Sequence, residues 1–183
     1  MNEIEIIGIN NFIGFHLAKH FLEQGMEVIG YTLPLENDDF QLKKLELGRN
    51  ANLTIKELNE ATLKKKVIID LYGVNNPIAF YELMKDQLTE VDYIILSNEF
   101  NKLEYISNII CLPLIIGPWD YVEDEKIIKE NSSVIGITDV CSFLEKKLTE
   151  DIKITIEECY QSANLESDFL NRQNWINRYK KSK

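Results

Sequence analysis

The sequence predicts an α/β fold, in which a doubly wound parallel sheet of about seven strands carries helices on both faces. Short runs of β-forming apolar residues alternate with stretches of helical periodicity along the 183 residues. Two of the runs, Val67-Ile68-Ile69 and Tyr93-Ile94-Ile95-Leu96, are apolar at every position, which is typical of strands covered on both faces. The length and the lack of a long linker favour a single domain over residues 1–183.

Each element follows from a local pattern. The predicted strands are the apolar, β-rich runs Glu3–Gly8, Glu27–Tyr31, Leu53–Glu57, Val67–Tyr72, Asp92–Ser97, Ile109–Ile116 and Ile152–Glu157. The predicted helices are Ile13–Gln24, Asp38–Leu47, Glu60–Lys66, Ile78–Leu88, Glu123–Glu130, Asp139–Leu148 and a closing helix over about 163–180. Gly25 is expected to end the first helix, and Thr138 is expected to be the N-cap of the sixth.

The first strand leads directly into a glycine turn and a helix. This is the layout of a dinucleotide-binding fingerprint, in which the N-terminus of the helix faces a pyrophosphate. Gly8 suits the tight turn and Gly14 suits close packing of the helix on the strand, but the usual middle glycine is Asn11. Asn tolerates left-handed backbone, yet its side chain fills space that glycine leaves open. The predicted cofactor-binding residues are Gly8, Asn10, Asn11, Phe12, Ile13, Gly14 and, after the second strand, Thr32.

The segment Glu3–Leu17, together with Gln24–Gly30, resembles the opening of the extended short-chain dehydrogenase/reductase family of nucleotide-sugar epimerases and dehydratases. Two later segments agree in order. Cys111–Tyr121 is similar to the family's Tyr-Gly-Pro segment, with Ile116 in place of Tyr, and Ile135–Val140 is similar to the segment that opens a late helix. The resemblance implies a Rossmann-like fold and a nicotinamide cofactor, NAD or NADP. It also implies that the chain is shorter than family members and lacks much of their substrate-binding region.

The family's catalytic pair, Tyr-x-x-x-Lys on a helix after the fifth strand, has no match here. Eleven residues separate Ser97 from Ile109, too few for a long helix within a parallel crossover. Tyr105 is the tyrosine in this gap, and the position four residues later is Ile109 instead of Lys. The sequence therefore predicts that the catalytic helix is absent. The remaining candidates for chemistry lie at the carboxyl ends of strands, and they are Ser97, Asp70 and Tyr72.

The cofactor specificity is also expected to be weakened. Family members that use NAD place an acidic residue after the second strand to bind the ribose hydroxyls. This chain has Thr32, Leu33 and Pro34 there, and Glu36 in the following loop is the nearest acidic substitute. Asp70 has two readings, as a carboxylate poised in the cleft or as a cap of the turn that follows it.

Composition and charge exclude several function classes. The net charge of −10 argues against sequence-independent nucleic-acid binding, which needs Lys and Arg. The sequence lacks a signal-peptide pattern and a membrane-length apolar run, so we expect a cytoplasmic protein without a membrane partner. The three cysteines form no CxxC pair. His16 and His20 have helical i, i+4 spacing without further ligands, so no metal is expected.

Three functions remain open. The leading hypothesis is a catalytically inactive relative of the dehydrogenase/epimerase fold that binds a protein partner or itself, with residual dinucleotide binding. The first alternative is a minimal NAD(P)-dependent oxidoreductase or nucleotide-sugar epimerase that uses Ser97, Asp70 or Tyr72. The second alternative is a nucleotide-binding redox sensor without chemistry of its own.

Overall fold

The structure, a computed structural model, describes residues 2–34, 39–64, 66–98, 108–120, 134–150 and 165–179. The chain divides into two compact units, Met1–Cys111 and Leu112–Lys183. The single domain predicted over residues 1–183 stays a prediction, since two compact units are compatible with one folding domain or with two.

The first unit contains a parallel sheet with the strand order β3-β2-β1-β4-β5-β6. Its strands are β1 Glu3–Ile7, β2 Glu27–Thr32, β3 Leu53–Glu57, β4 Val67–Asp70, β5 Tyr93–Ser97 and β6 Ile109–Cys111. Each neighbouring pair runs parallel. The chain moves outward from β1 to β3 and then returns to β4 on the other side of β1. The strand order therefore reverses between β1 and β4, where doubly wound folds bind their ligands.

The helices of this unit are α1 Phe12–Glu23, α2 Phe40–Leu47 and α3 Pro77–Met84, the last followed by a 3₁₀ turn at Lys85–Leu88. The end of α1 confirms the predicted role of Gly25, which has φ +76°. Its N–H donates to the carbonyl of Leu22 and the N–H of Met26 donates to that of Phe21, both at 3.0 Å, so the helix ends in a Schellman motif. The predicted doubly wound α/β fold is confirmed.

The second unit is built on a separate pair of parallel strands, β7 Leu114–Ile116 and β8 Val134–Gly136. Two helices accompany them, α4 Ile137–Glu150 and α5 Leu165–Tyr179. Asp168 of α5 accepts hydrogen bonds from the backbone N–H and the hydroxyl of Thr138, at 3.0 and 2.6 Å. Arg172 of α5 forms an ion pair with Asp120, and the rings of Trp119 and Trp175 lie 4.9 Å apart.

Two predicted elements and one predicted helix cap were wrong. The stretch Glu60–Lys66 is not a helix where it is described. The chain makes a 3₁₀ turn at Leu58–Glu60, residues 61–64 have no regular secondary structure, and the N–H of Lys64 donates to Glu5 at 2.9 Å. The run Ile109–Ile116 is two strands in different sheets, β6 and β7, broken where Pro113 lacks an N–H donor. Thr138 is not the N-cap of α4, because that helix begins at Ile137.

One strand was missed and two elements stay untested. The strand β8 at Val134–Gly136 is only three residues long, too short for a periodicity argument. The predicted helix Glu123–Glu130 and the predicted strand Ile152–Glu157 lie outside the described residues. Within the ranges that the structure describes, no helix combines the length and the apolar character needed to cross a membrane.

Candidate functional site

The glycine turn between β1 and α1 has the backbone geometry that its sequence predicts. Gly8 has φ +87°, a conformation that L-residues rarely adopt. A Cβ on Gly14 would lie 2.2 Å from the carbonyl oxygen of Gly8, so only glycine permits this approach of the helix to the turn. Both glycines are therefore required by the local fold, whether or not a ligand binds.

Asn11, at the position of the missing glycine, does not adopt left-handed backbone. Its φ and ψ are −82° and 178°, which is extended conformation, so the tolerance of Asn for left-handed backbone is not used there. Its side chain is 2% exposed and turns towards β4, where its amide donates to the carbonyls of Asp70 and Tyr72 at 3.3 and 2.9 Å. Asn11 thus ties the turn to the end of β4.

Asn10 ties the other side of the turn to the end of β2. Its amide donates to the carbonyl of Leu33 at 2.8 Å and its side-chain oxygen accepts from the N–H of Leu33 at 2.9 Å. Thr32, just before this link, donates its hydroxyl to the carbonyl of Lys56 on β3 at 3.4 Å. The backbone that follows β2, where dinucleotide sites usually bind ribose, is thereby committed to internal hydrogen bonds. Glu36, the predicted acidic substitute, lies outside the described residues.

A carboxylate of the protein itself lies at the N-terminus of α1. The N–H of Gly14 donates to Oδ2 of Asp70 at 2.6 Å, and the N–H of Ile13 also acts to lower the pKa of this carboxyl group. The N–H of Asn11 donates to the carbonyl of Gly8 at 2.8 Å. We call the N–H groups of Ile13 and Gly14 the anion seat, because the first-turn N–H groups of such a helix usually bind an anion. Here Asp70 occupies the anion seat.

Asp70 is held on both sides. Its Oδ1 accepts from the N–H of Tyr72 at 3.0 Å, so it also caps the turn that follows β4. The side chain is 0% exposed, and this burial raises its pKa to about 7 against the opposing effect of the N–H donors and of Lys43. A group that titrates near neutrality inside the crevice is a candidate for proton-linked behaviour.

Lys43 of α2 supplies a positive charge to this site. It is 1% exposed, and its ammonium group donates to the carbonyl of Asn10 at 3.2 Å and lies 5.9 Å from the ring centroid of Phe15. Burial lowers its pKa to about 8, while Asp70, Asp39 and Glu46 act in the opposite direction. The crevice therefore contains a buried carboxyl group and a buried amine whose pKa values have moved towards each other.

This pair predicts an unusual pH dependence of stability. The folded protein holds the Asp70 proton more tightly than the unfolded chain, so the free energy of unfolding should fall as the pH rises from 3.8 to about 7. Lys43 acts in reverse, because the folded protein releases its proton first, and stability should recover between about 8 and 10.5. The slope of each part should approach roughly 1.4 kcal/mol per pH unit.

Denaturant unfolding across this range should therefore show a minimum in stability between about pH 7 and about pH 8. The Asp70→Asn variant should lose the acidic part of the profile and keep the alkaline part. Parallel profiles for the native protein and the variant below neutral pH would contradict the assignment.

The predicted site residues only partly converge. The structure brings Asp70 and Tyr72 together with the glycine turn, and the rings of Tyr72 and Phe12 lie 6.4 Å apart. Ser97 is the last residue of β5, buried at 0% exposure and paired in register with Cys111 of β6. Thr32 is the last residue of β2, and its hydroxyl donates to the carbonyl of Lys56 on β3. The roles proposed for these residues stay predictions.

Sequence reasoning missed Lys43 and the backbone of Leu33. Lys43 shares a helix face with Phe40 and Leu47 at i, i+3 and i+7 spacing, and this charged residue within an apolar stripe was the available signal. The contact with Leu33 had no sequence signal, because it uses main-chain groups of a residue that is distant along the chain from Asn10. In the part of the chain that is described, no three His, Cys, Asp or Glu residues form a group suited to a metal ion.

No family model matches the chain, and no curated protein matches it by sequence. Solved structures do match. Vestitone reductase from alfalfa is 13% identical with a TM-score of 0.54, over 85% of this chain and 74% of that one. The Bordetella bronchiseptica enzyme WbmH in complex with NAD⁺ is 15% identical with a TM-score of 0.52, over 80% and 71%. Gre2 from Candida albicans in complex with NADPH is 11% identical with a TM-score of 0.51, over 82% and 75%. At such identities the likeness establishes the Rossmann-like fold.

Proposed function

We propose that this protein is a catalytically inactive, shortened relative of the extended short-chain dehydrogenases and epimerases, which serves as a partner-binding or regulatory scaffold. The observation that carries the proposal is the carboxylate of Asp70 on the anion seat, 2.6 Å from the N–H of Gly14. A dinucleotide presents its negatively charged pyrophosphate to this end of the helix. Two like charges 4 Å apart repel by about 4 kcal/mol at an effective dielectric constant of 20. An ionised Asp70 therefore opposes cofactor binding at neutral pH and above.

The connection from β5 to β6 supports the absence of catalysis. The two strands are adjacent and parallel, and residues 98–108 join them. These eleven residues are too few for the long helix that carries the family's Tyr and Lys pair. In the family that pair relays the proton, and the sequence between Ser97 and Ile109 contains no Tyr-x-x-x-Lys.

The solved structures that match in fold support a relationship with NAD(P)-dependent reductases, because two of them contain NAD⁺ or NADPH. We infer that a nicotinamide dinucleotide is the ligand class for which the crevice was built, and that binding has become weak or conditional. The partner is a protein or a second copy of the chain, since the net charge of −10 disfavours nucleic acid. Light scattering during size-exclusion chromatography separates self-association from a requirement for another protein.

The proposal predicts no hydride transfer. NADH or NADPH should stay reduced when incubated with stoichiometric protein and a panel of aldehydes, ketones and nucleotide-sugars, as followed by the nicotinamide absorbance. The physical reason is the missing proton donor and the occupied anion seat. Sustained protein-dependent turnover with any of these compounds would refute the proposal that the protein is a catalytically inactive scaffold.

A minimal oxidoreductase or epimerase is the second candidate, favoured by the burial of Asp70 and its pKa of about 7 beside the glycine turn. If turnover is found, the variants Ser97→Ala, Asp70→Asn and Tyr72→Phe locate it. Loss of turnover in one of them would support this candidate. Full activity in all three would show that other residues carry out the reaction.

A further inference from the structure

The side chain of Asp70 occupies the anion seat, and we call this side chain the plug of the nucleotide crevice. We propose that the side chain of Asp70 is a built-in anion that closes the anion seat, and that a dinucleotide pyrophosphate enters only when this carboxylate is neutralised, so that binding takes up a proton. The inference rests on the proposed function, because it treats the crevice as a former dinucleotide site, and it adds the way in which that site is controlled.

The first support is the number and direction of the contacts. Both oxygens of Asp70 are used, Oδ2 by the N–H of Gly14 at 2.6 Å and Oδ1 by the N–H of Tyr72 at 3.0 Å. The carboxylate thus binds the helix end as a phosphate oxygen would, while remaining attached to β4. A ligand that needs the anion seat must compete with a group whose effective concentration is fixed by the fold.

The second support is that the surrounding links hold the plug in place. Asn11 bonds to the carbonyl of Asp70, and a Cβ on Gly8 would lie 2.7 Å from that same carbonyl oxygen. The backbone of β4 therefore cannot withdraw without disturbing the turn itself. Removal of charge from the carboxylate is a smaller change than displacement of the strand, so protonation is the simpler way to open the seat.

The third support is electrostatic. Among the residues that the structure describes, Lys43 of α2 acts on Asp70 through its charge, and Asp39 and Glu46 act on Lys43 in turn. Tyr72 is the titratable neighbour on the chain after β4, and its N–H donates to Asp70.

Titratable groups on the other neighbouring elements are engaged elsewhere. The ring of His16 on α1 packs edge-on against Phe12 and Phe15. Glu5 on β1 accepts from Tyr31 and Lys64. The ionisation of Asp70 therefore sets the charge at the anion seat, and the pyrophosphate and the Asp70 carboxylate are alternatives there.

Isothermal titration calorimetry with NAD⁺ and with NADPH tests the plug in the native protein at about pH 6 and about pH 8. For one linked proton that titrates near neutrality, affinity should weaken about tenfold between these two pH values. Repeating the titration at the higher pH in buffers of different ionisation enthalpy should show uptake of about one proton. Equal affinity at both pH values without proton uptake would overturn the proposal.

Three variants sharpen the result. Asp70→Asn should bind about tenfold more tightly than the native protein at about pH 8, with no dependence on pH. Asn11→Gly restores the three-glycine pattern and removes one link to β4 but keeps the carboxylate, so its binding should still weaken as the pH rises. Asp168→Asn removes a comparable buried carboxylate of α5, which accepts from the N–H of Thr138 in the first turn of α4, and should also leave the pH dependence unchanged.

The outcomes separate the two proposals. No binding by the native protein at the lower pH and none by folded Asp70→Asn would overturn the plug and leave the scaffold standing. Proton-linked binding accompanied by hydride transfer would support the plug and refute the scaffold. If Asp70→Asn fails to fold, the pH series of the native protein decides alone.

Discussion

Gly14→Ala is expected to destabilise the protein by about 3 kcal/mol or more, with loss of the glycine turn. The new Cβ would lie 2.2 Å from the carbonyl oxygen and 2.8 Å from the carbonyl carbon of Gly8. Both are backbone atoms at the end of a buried strand, so neither can move aside as a flexible side chain could. Relief requires α1 to shift, which breaks the contact of Gly14 with Asp70. Chemical denaturation of native and variant proteins measures the difference.

Gly25→Ala is the matched control. A Cβ there meets nothing within 4 Å, and the strain comes only from φ +76°. The expected cost is about 1 kcal/mol, the penalty of left-handed backbone for an L-residue. If the two variants lost the same stability, close packing of Gly14 on the turn would not be the reason for the glycine there.

Arg172→Met is expected to destabilise the second unit by about 3–5 kcal/mol, because it leaves Asp120 as a buried charge without its ion-pair partner. Both side chains are 1% exposed, and Nε of Arg172 lies 2.5 Å from Oδ2 of Asp120. The same carboxylate accepts from the N–H of Gly117 at 3.2 Å, so it also holds the turn after β7. Thermal unfolding should show the loss directly.

The double variant Arg172→Met with Asp120→Asn should be more stable than Arg172→Met alone, since no uncompensated charge remains. Lys85→Met breaks the exposed pair with Glu82, whose side chains are 47% and 46% exposed, and should cost less than about 1 kcal/mol. A cost for Arg172→Met as small as that of Lys85→Met would show that the buried pair does not stabilise the unit.

The elements of the first unit could be predicted because their patterns are local. The strand Leu53–Glu57 was predicted with the observed ends, and Gly25 was recognised as the end of α1. The predicted helix Glu60–Lys66 failed for a tertiary reason. The N–H of Lys64 donates to the side chain of Glu5, about sixty positions away in sequence, and local propensity cannot anticipate such a contact.

In the candidate site, too, local features could be predicted from the sequence and contacts between distant residues could not. The spacing of Gly8 and Gly14 predicts the turn. The structure shows why both positions are glycine, because a Cβ at either one would come too close to backbone atoms. The extended backbone of Asn11, and the direction in which its side chain points, depend on carbonyls at the end of β4. Asp70 was identified as a carboxylate at the end of a strand, but its bond to Gly14 spans 56 residues and follows from the adjacency of β1 and β4. The sequence pattern therefore identified the residues of the site, and the order of the strands in the sheet determines which of these residues are in contact.

The most direct test of the central claim is an NMR pH titration of the backbone amide of Gly14 in the native protein. If the carboxylate of Asp70 occupies the anion seat, the amide signals of Gly14 and Tyr72 should titrate together with a midpoint of about 7. The same signals should stop titrating in Asp70→Asn, with Asp168→Asn as the control. A Gly14 amide that does not titrate, or that titrates near the ordinary carboxyl value of 3.8, would contradict the claim that Asp70 controls this end of α1.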